Sequence, residues 1–99
     1  MKLALPALTG ALLAFAPAHA ADVMKGADLY RLHCASCHGF DGRPIMSVAP
    51  DLSQPMALLK PDISLLTGIR NGKGAMPAYQ GILRDREILD IVAHMRTFR

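Results

Sequence analysis

The chain of 99 residues has no tryptophan and only two cysteines, Cys34 and Cys37. There is no second C-x-x-C, so the paired-motif zinc ribbon is excluded. No block of like charges is present, and no stretch interleaves aromatic with basic side chains, which argues against nucleic acid as a partner. Repeats and low-complexity tracts are absent. No segment alternates like a half-buried strand, and no βαβ pattern frames the cysteines as in a thioredoxin-like redox pair. The one long apolar run, Leu3 to Ala16, is interrupted by Pro6, Thr9 and Gly10 and falls short of the about 20 residues that cross a bilayer.

What is present is Cys34-Ala35-Ser36-Cys37-His38, a C-x-x-C-H run. This spacing points to covalent haem attachment. Two thiols three positions apart reach the two vinyl groups on one edge of a porphyrin. The next residue is carried under the iron, where a neutral imidazole is a strong, compact ligand. Two other readings use the same residues. A zinc site would need Cys34, Cys37 and His38 plus a recruited His33 or His94. A plain disulfide would leave His38 without a role.

The first twenty residues differ from the rest. Lys2 gives a positive start, the apolar run follows, and Ala18-His19-Ala20 fits a small-x-small cleavage site. Residues 1–20 are therefore expected to be a signal peptide and residues 21–99 a single small domain, exported, soluble and without a stable membrane span after cleavage. A domain this short needs a staple, and a covalent haem would supply one. The net charge of +3 is modest, and two haem propionates would offset most of it. A basic patch for an acidic partner remains compatible with that charge.

The coarse order is helix, loop, helix, methionine loop, helix, and the expected fold class is all-α. A first helix is expected over about 25–35, with Leu29, Leu32 and His33 on one face and Asp22 as its cap. Gly39 to Leu52 reads as a loop around one side of the haem. Ser53-Gln54-Pro55 can start a short helical turn through Leu59. Pro61 suits a first helical position, and Gly72 can end that helix. The last helix shows the clearest periodicity, with Ile88, Ile91, Val92, Met95 and Phe98 on one face.

Met24, Met56 and Met95 are expected to be packing residues. Met76 differs, because it stands in Gly72-Lys73-Gly74-Ala75-Met76-Pro77-Ala78-Tyr79. Glycines let backbone pass close to a flat ligand, and Pro77 holds the residue before it extended. Met76 is thus expected as the second axial ligand. Met46 is the next candidate, ahead of His33 or His94.

Together these residues resemble a small bacterial monohaem cytochrome c of the class I type. Gly26 through His38 is similar to the family's first helix and attachment site. Ala49-Pro50-Asp51-Leu52 resembles its Gly-Pro-x-Leu loop, and Ile69 through Tyr79 its Met-Pro ligand loop. The resemblance implies three to five short helices around one haem c. In that frame Cys34 and Cys37 form the thioethers, and His38 and Met76 are the axial iron ligands. It also implies that the Pro50 carbonyl orients His38, that Leu52 packs on the haem, and that Gly26 lets the first and last helices cross closely. Three positions depart from the family. His94 stands where an aromatic is usual, and Ala49 precedes Pro50 in place of Gly. Arg84 replaces a capping Ser or Thr, so the cap of the last helix is expected from Asp85 or lost.

His/Met ligation fills all six iron positions and leaves none for substrate. The expected function is one-electron transport, cycling haem Fe(II)/Fe(III), not catalysis. The expected setting is the periplasm or another exported compartment, with a dehydrogenase, oxidase or reductase as redox partner. The alternative is a haem c electron-transfer subunit of a multi-subunit dehydrogenase. A five-coordinate haem enzyme or gas sensor would require Met76 not to bind.

Overall fold

The computed structural model describes residues 20–99. The expected leader lies outside the described residues except for Ala20. The fold is all-α: four α-helices and one 3-10 turn, joined by loops, with an isolated bridge between Lys73 and Met76 as the sole β-type pairing among the described residues. No described helix is long and apolar enough to cross a membrane.

Helix α1 runs Val23–His33 and starts two residues earlier than expected, because the Asp22 carboxylate accepts the Lys25 N–H at 3.0 Å. Its buried face is Gly26 and Tyr30, with Leu29 and His33 partly covered. Leu32 was expected on that face but points to solvent. The first helix and the attachment motif do not form one continuous helix. After a break at Cys34 the chain makes one further turn, α2, Ala35–His38. The 3-10 turn is Pro55–Leu58. Helix α3 is Asp62–Asn71, with Pro61 as N-cap rather than as the first helical residue.

Helix α4, Asp85–Met95, buries Ile88, Ile91, Val92 and Met95, the face its periodicity predicts. Its N-terminus corrects the capping expectation. The Glu87 carboxylate reaches back to accept the Arg84 backbone N–H at 3.0 Å, and Asp85 plays no part in the cap. A guanidinium has no acceptor to return, so only that half of a capping box forms.

Helices α1 and α3 both pack on α4. The core holds Tyr30, Leu66, Ile69, Leu83, Ile88, Ile91, Val92 and Met95. Met24 and Met56, expected to be packing residues, are instead 77% and 76% exposed. Helix α1, packed on α4, leads directly into the C-x-x-C-H turn.

Candidate functional site

Cys34 is the C-cap of α1, and its N–H donates to the Tyr30 carbonyl at 2.8 Å. The His38 N–H donates back to the Cys34 carbonyl at 2.9 Å, which closes the five-residue motif into a single turn. The following loop is tied down by the Ile45 and Met46 N–H groups, which both donate to the Cys37 carbonyl. Two tyrosine hydroxyls bracket the motif. Tyr30 donates to the Gly39 carbonyl at 2.7 Å, just after it, and Tyr79 to the His33 carbonyl at 2.8 Å, just before it.

The facing wall is the loop after α3. Gly72 ends that helix at φ 70°, and a Cβ there would crowd the Ala78 nitrogen and Met76 oxygen at 2.7 Å, so the turn requires glycine. Lys73 and Met76 exchange both backbone hydrogen bonds, at 3.1 and 3.0 Å. Tyr79 and Gln80 then tie the loop back to the Ile69 and Arg70 carbonyls. Met76 thus closes a tight turn with Lys73, with Gly74 and Ala75 at its tip, in a loop fixed at both ends.

Between these walls lies a slot of two lobes. The larger, about 410 Å³, is lined by Cys34, Cys37, His38, Met46 and Met76 among others. The smaller, about 210 Å³, is lined by Tyr30, Pro50, Leu52, Leu58 and Met95 among others. Cys34, His38, Lys73 and Met76 line both, so they stand where the lobes meet. All four principal residues expected from the sequence are brought to one slot, and Pro50 and Leu52 to its smaller lobe. Met46 lines the larger lobe too but is partly exposed. His94 lines neither.

The chemistry of the lining is selective. Besides Cys34, Cys37, His38 and two tyrosines, its ionisable side chains are His33, Lys60 and Lys73; no carboxylate faces either lobe. Such a rim suits a large, flat, apolar ligand that carries acidic groups. Burial pushes the Cys34 thiol up to about 11, with the neighbouring Cys37 adding to the effect. Burial also lowers the His38 pKa, favouring the neutral imidazole that can donate a lone pair.

The His38 Nδ1 is buried and has no hydrogen-bond partner. The bond to the Pro50 carbonyl that the resemblance implies is not made; Pro50 stands on the exposed part of its loop. With Nδ1 buried, Nε2 is the ring nitrogen left to the slot. Two thiols, an imidazole and a thioether around a deep apolar slot fit a covalently held haem. Zinc fits less well: among the described residues no three His, Cys, Asp or Glu side chains converge as a metal site. Tyr30 and Tyr79 escaped the sequence reading, since their partners are backbone carbonyls that carry no sequence signal.

Comparisons with known proteins agree with this chemistry. Residues 21–95 match the family model described as cytochrome c oxidase, cbb3-type, subunit III. A cytochrome c6 of Nostoc sp. is 33% identical over 83 residues, covering 80% of this chain and 73% of that protein. Among solved structures, the KustC0563 c-type cytochrome superposes with a TM-score of 0.69 at 26% identity, covering 75% of this chain and 96% of that one. Cytochrome c6 from the diatom Phaeodactylum tricornutum gives 0.61 at 30% identity, covering 75% and 90%.

Proposed function

Since this chain belongs to the family of small monohaem c-type cytochromes, we propose that it is an exported one-electron carrier. In this reading Cys34 and Cys37 hold the haem, and His38 and Met76 ligate its iron. The protein is an electron-transfer protein that carries one covalently attached haem c, and it is not an enzyme. The haem supplies a one-electron Fe(II)/Fe(III) couple. Every other part of the work falls to the chain.

The observation that carries this assignment is the convergence of Cys34, Cys37, His38 and Met76 on one slot from two separate segments, the C-x-x-C-H turn and the loop after α3. The two thiols fix the ligand's edge. The short turn to His38 would bring its imidazole to the iron, kept neutral by burial. The hydrogen-bonded Lys73–Met76 turn would supply the thioether as a second ligand, and a thioether ligand stabilises the reduced iron. With His38 and Met76 both held to the iron, no position would be left open to substrate or water. The apolar walls, Leu52, Leu58, Ile69 and Met95, lower the local dielectric, which adds to the same bias.

Residues 1–20 are read as the leader that exports the chain, and residues 21–99 as the mature domain in a periplasmic or equivalent compartment. Its partners would be redox proteins: a dehydrogenase, an oxidase or a reductase. A second reading, a fixed haem c subunit of a larger dehydrogenase or oxidase assembly, is favoured by the exposed apolar side chains Phe40, Ile45, Val48, Met56 and Leu59. Sedimentation of the protein purified from its native membranes and soluble fraction separates the two readings. A free carrier sediments as a monomer. Reversible one-electron titration with a Met-to-Fe(III) charge-transfer band in the near infrared tests the ligation, and absence of that band would rule out Met76.

A further inference from the structure

Asp90 is a carboxylate that the proposed redox role does not use. It lies on α4 and is only 3% exposed. One of its oxygens accepts the backbone N–H of Asp22, the N-cap of α1, at 2.8 Å. Among the described residues, its other oxygen accepts no hydrogen bond. Asp90 also lines an adjoining cavity of about 320 Å³, together with Ala20, Ala21, Asp62, Arg86 and Leu89.

No described cation pairs with this carboxylate. Arg86, one turn earlier on α4, makes no ion pair with it, and Asp62 on α3 is itself held by Arg96 at 2.8 Å. A buried carboxylate without a compensating charge is costly. Something positive belongs beside it, and the chain can create that charge.

We propose that Asp90 is the receptor for the α-ammonium of Ala21, formed when the leader is cut after Ala20; this rests on reading residues 1–20 as a removed leader. A leader peptidase adds water across the Ala20–Ala21 peptide bond. The new carboxylate leaves with Ala20, and the new amine on Ala21 takes up a proton. Before the cut, position 21 offers one neutral N–H. After it, the same nitrogen offers three donors and a full charge. Ala21 immediately precedes the residue already bonded to Asp90 and lines the same cavity. The groups that face the new ammonium are Asp90 and Arg86 from α4, Asp62 from α3 and Asp22 beside it. A cation at the start of α1 opposes the helix dipole, and the carboxylates of Asp22 and Asp90 offset that. Cleavage thus ties the start of α1 to α4 and stabilises the exported form.

The sign follows from linkage. A partner carboxylate raises the folded pKa of the amine above its usual value of about 8. The added stability is present below that value and is lost as pH rises through the folded pKa. The test uses the haem-loaded protein beginning at Ala21. Titration of the ¹⁵N-labelled Ala21 amine by NMR should give a value above the usual range, and Asp90→Asn should return it there. Asparagine still accepts the Asp22 N–H, so the fold is retained. Placing Gly-Ser ahead of Ala21 should raise the unfolding equilibrium constant about three- to tenfold in the Asp90 protein, and not in Asp90→Asn. An ordinary amine pKa, or an equal change in both backgrounds, would overturn the proposal. Mass spectrometry of the exported protein reads the cut independently. Another N-terminus would overturn the leader reading, while the chain made to start at Ala21 still decides the role of Asp90.

Discussion

The hydroxyl of Tyr79 donates to the carbonyl of His33 at 2.8 Å, joining the loop that carries Met76 to the turn that carries the two cysteines. The rings of the two residues also meet edge to face, with centroids 5.8 Å apart. One side chain therefore couples the two walls of the slot. Tyr79→Phe keeps the ring contact and removes the bond. Denaturant melts should show a loss of about 1 kcal/mol. The near-infrared Met-to-iron band should weaken before the protein unfolds, since the methionine loop loses an anchor. Full retention of both would show that the hydroxyl is dispensable.

The proposed attachment predicts that haem stays with the chain under denaturing extraction. In acid acetone the colour should remain in the protein precipitate. Cys34→Ala and Cys37→Ala should each leave one thioether, and the double variant should release haem to the organic phase. Extraction of haem from the unaltered protein would rule out thioether bonds.

Met76 and Met46 line the same lobe, and sequence position alone does not exclude either as ligand. Their settings differ. Met76 sits on a turn closed by two backbone hydrogen bonds, whereas Met46 belongs to a partly exposed loop. Met76→Ala should turn the spectrum towards high spin and lower the potential. Met46→Ala should leave the low-spin spectrum nearly unchanged. The reverse pattern would transfer the ligand role to Met46.

How far the sequence discloses this protein depends on where each signal resides. The C-x-x-C-H motif was legible because its geometry is local. The buried face of α4 was legible because one stripe meets one core. The face of α1 was misjudged at Leu32, since Tyr30 is the residue buried against α4, with its hydroxyl satisfied by the Gly39 carbonyl. Neither that bond nor the Tyr79 bond leaves a trace in periodicity. Met24 and Met56 look like core filler by residue type, and only the packing shows them exposed. The cap of α4, expected from Asp85 or lost, comes instead from Glu87 three residues beyond Arg84.

Gly26 and Asp90 mark the closest approach of α1 and α4. A Cβ at position 26 would overlap the Asp90 carbonyl, so the crossing depends on the missing side chain. Gly26→Ala should force the helices apart and cost about 1–3 kcal/mol, although alanine is the better helix former. Thermal or denaturant unfolding of the haem-loaded protein measures it. A gain in stability would mean that the two helices do not meet there.

His94 lies one turn beyond that crossing, half-buried, with its ring 5.2 Å from both Tyr30 and Phe98. Burial lowers its pKa, and the positive charge of Arg31 on α1 acts in the same direction. A histidine whose folded pKa is depressed binds its proton more readily when unfolded. Stability should therefore fall as pH drops through the unfolded value of about 6.5, and the full cost is reached below the folded pKa. His94→Tyr keeps a ring against Tyr30 and Phe98 and removes the charge. Its benefit should be larger at pH 5 than at pH 8, where the histidine is already neutral. Paired denaturant melts at the two pH values check this. Equal differences at both would show that the ring's protonation does not couple to the α1–α4 contact.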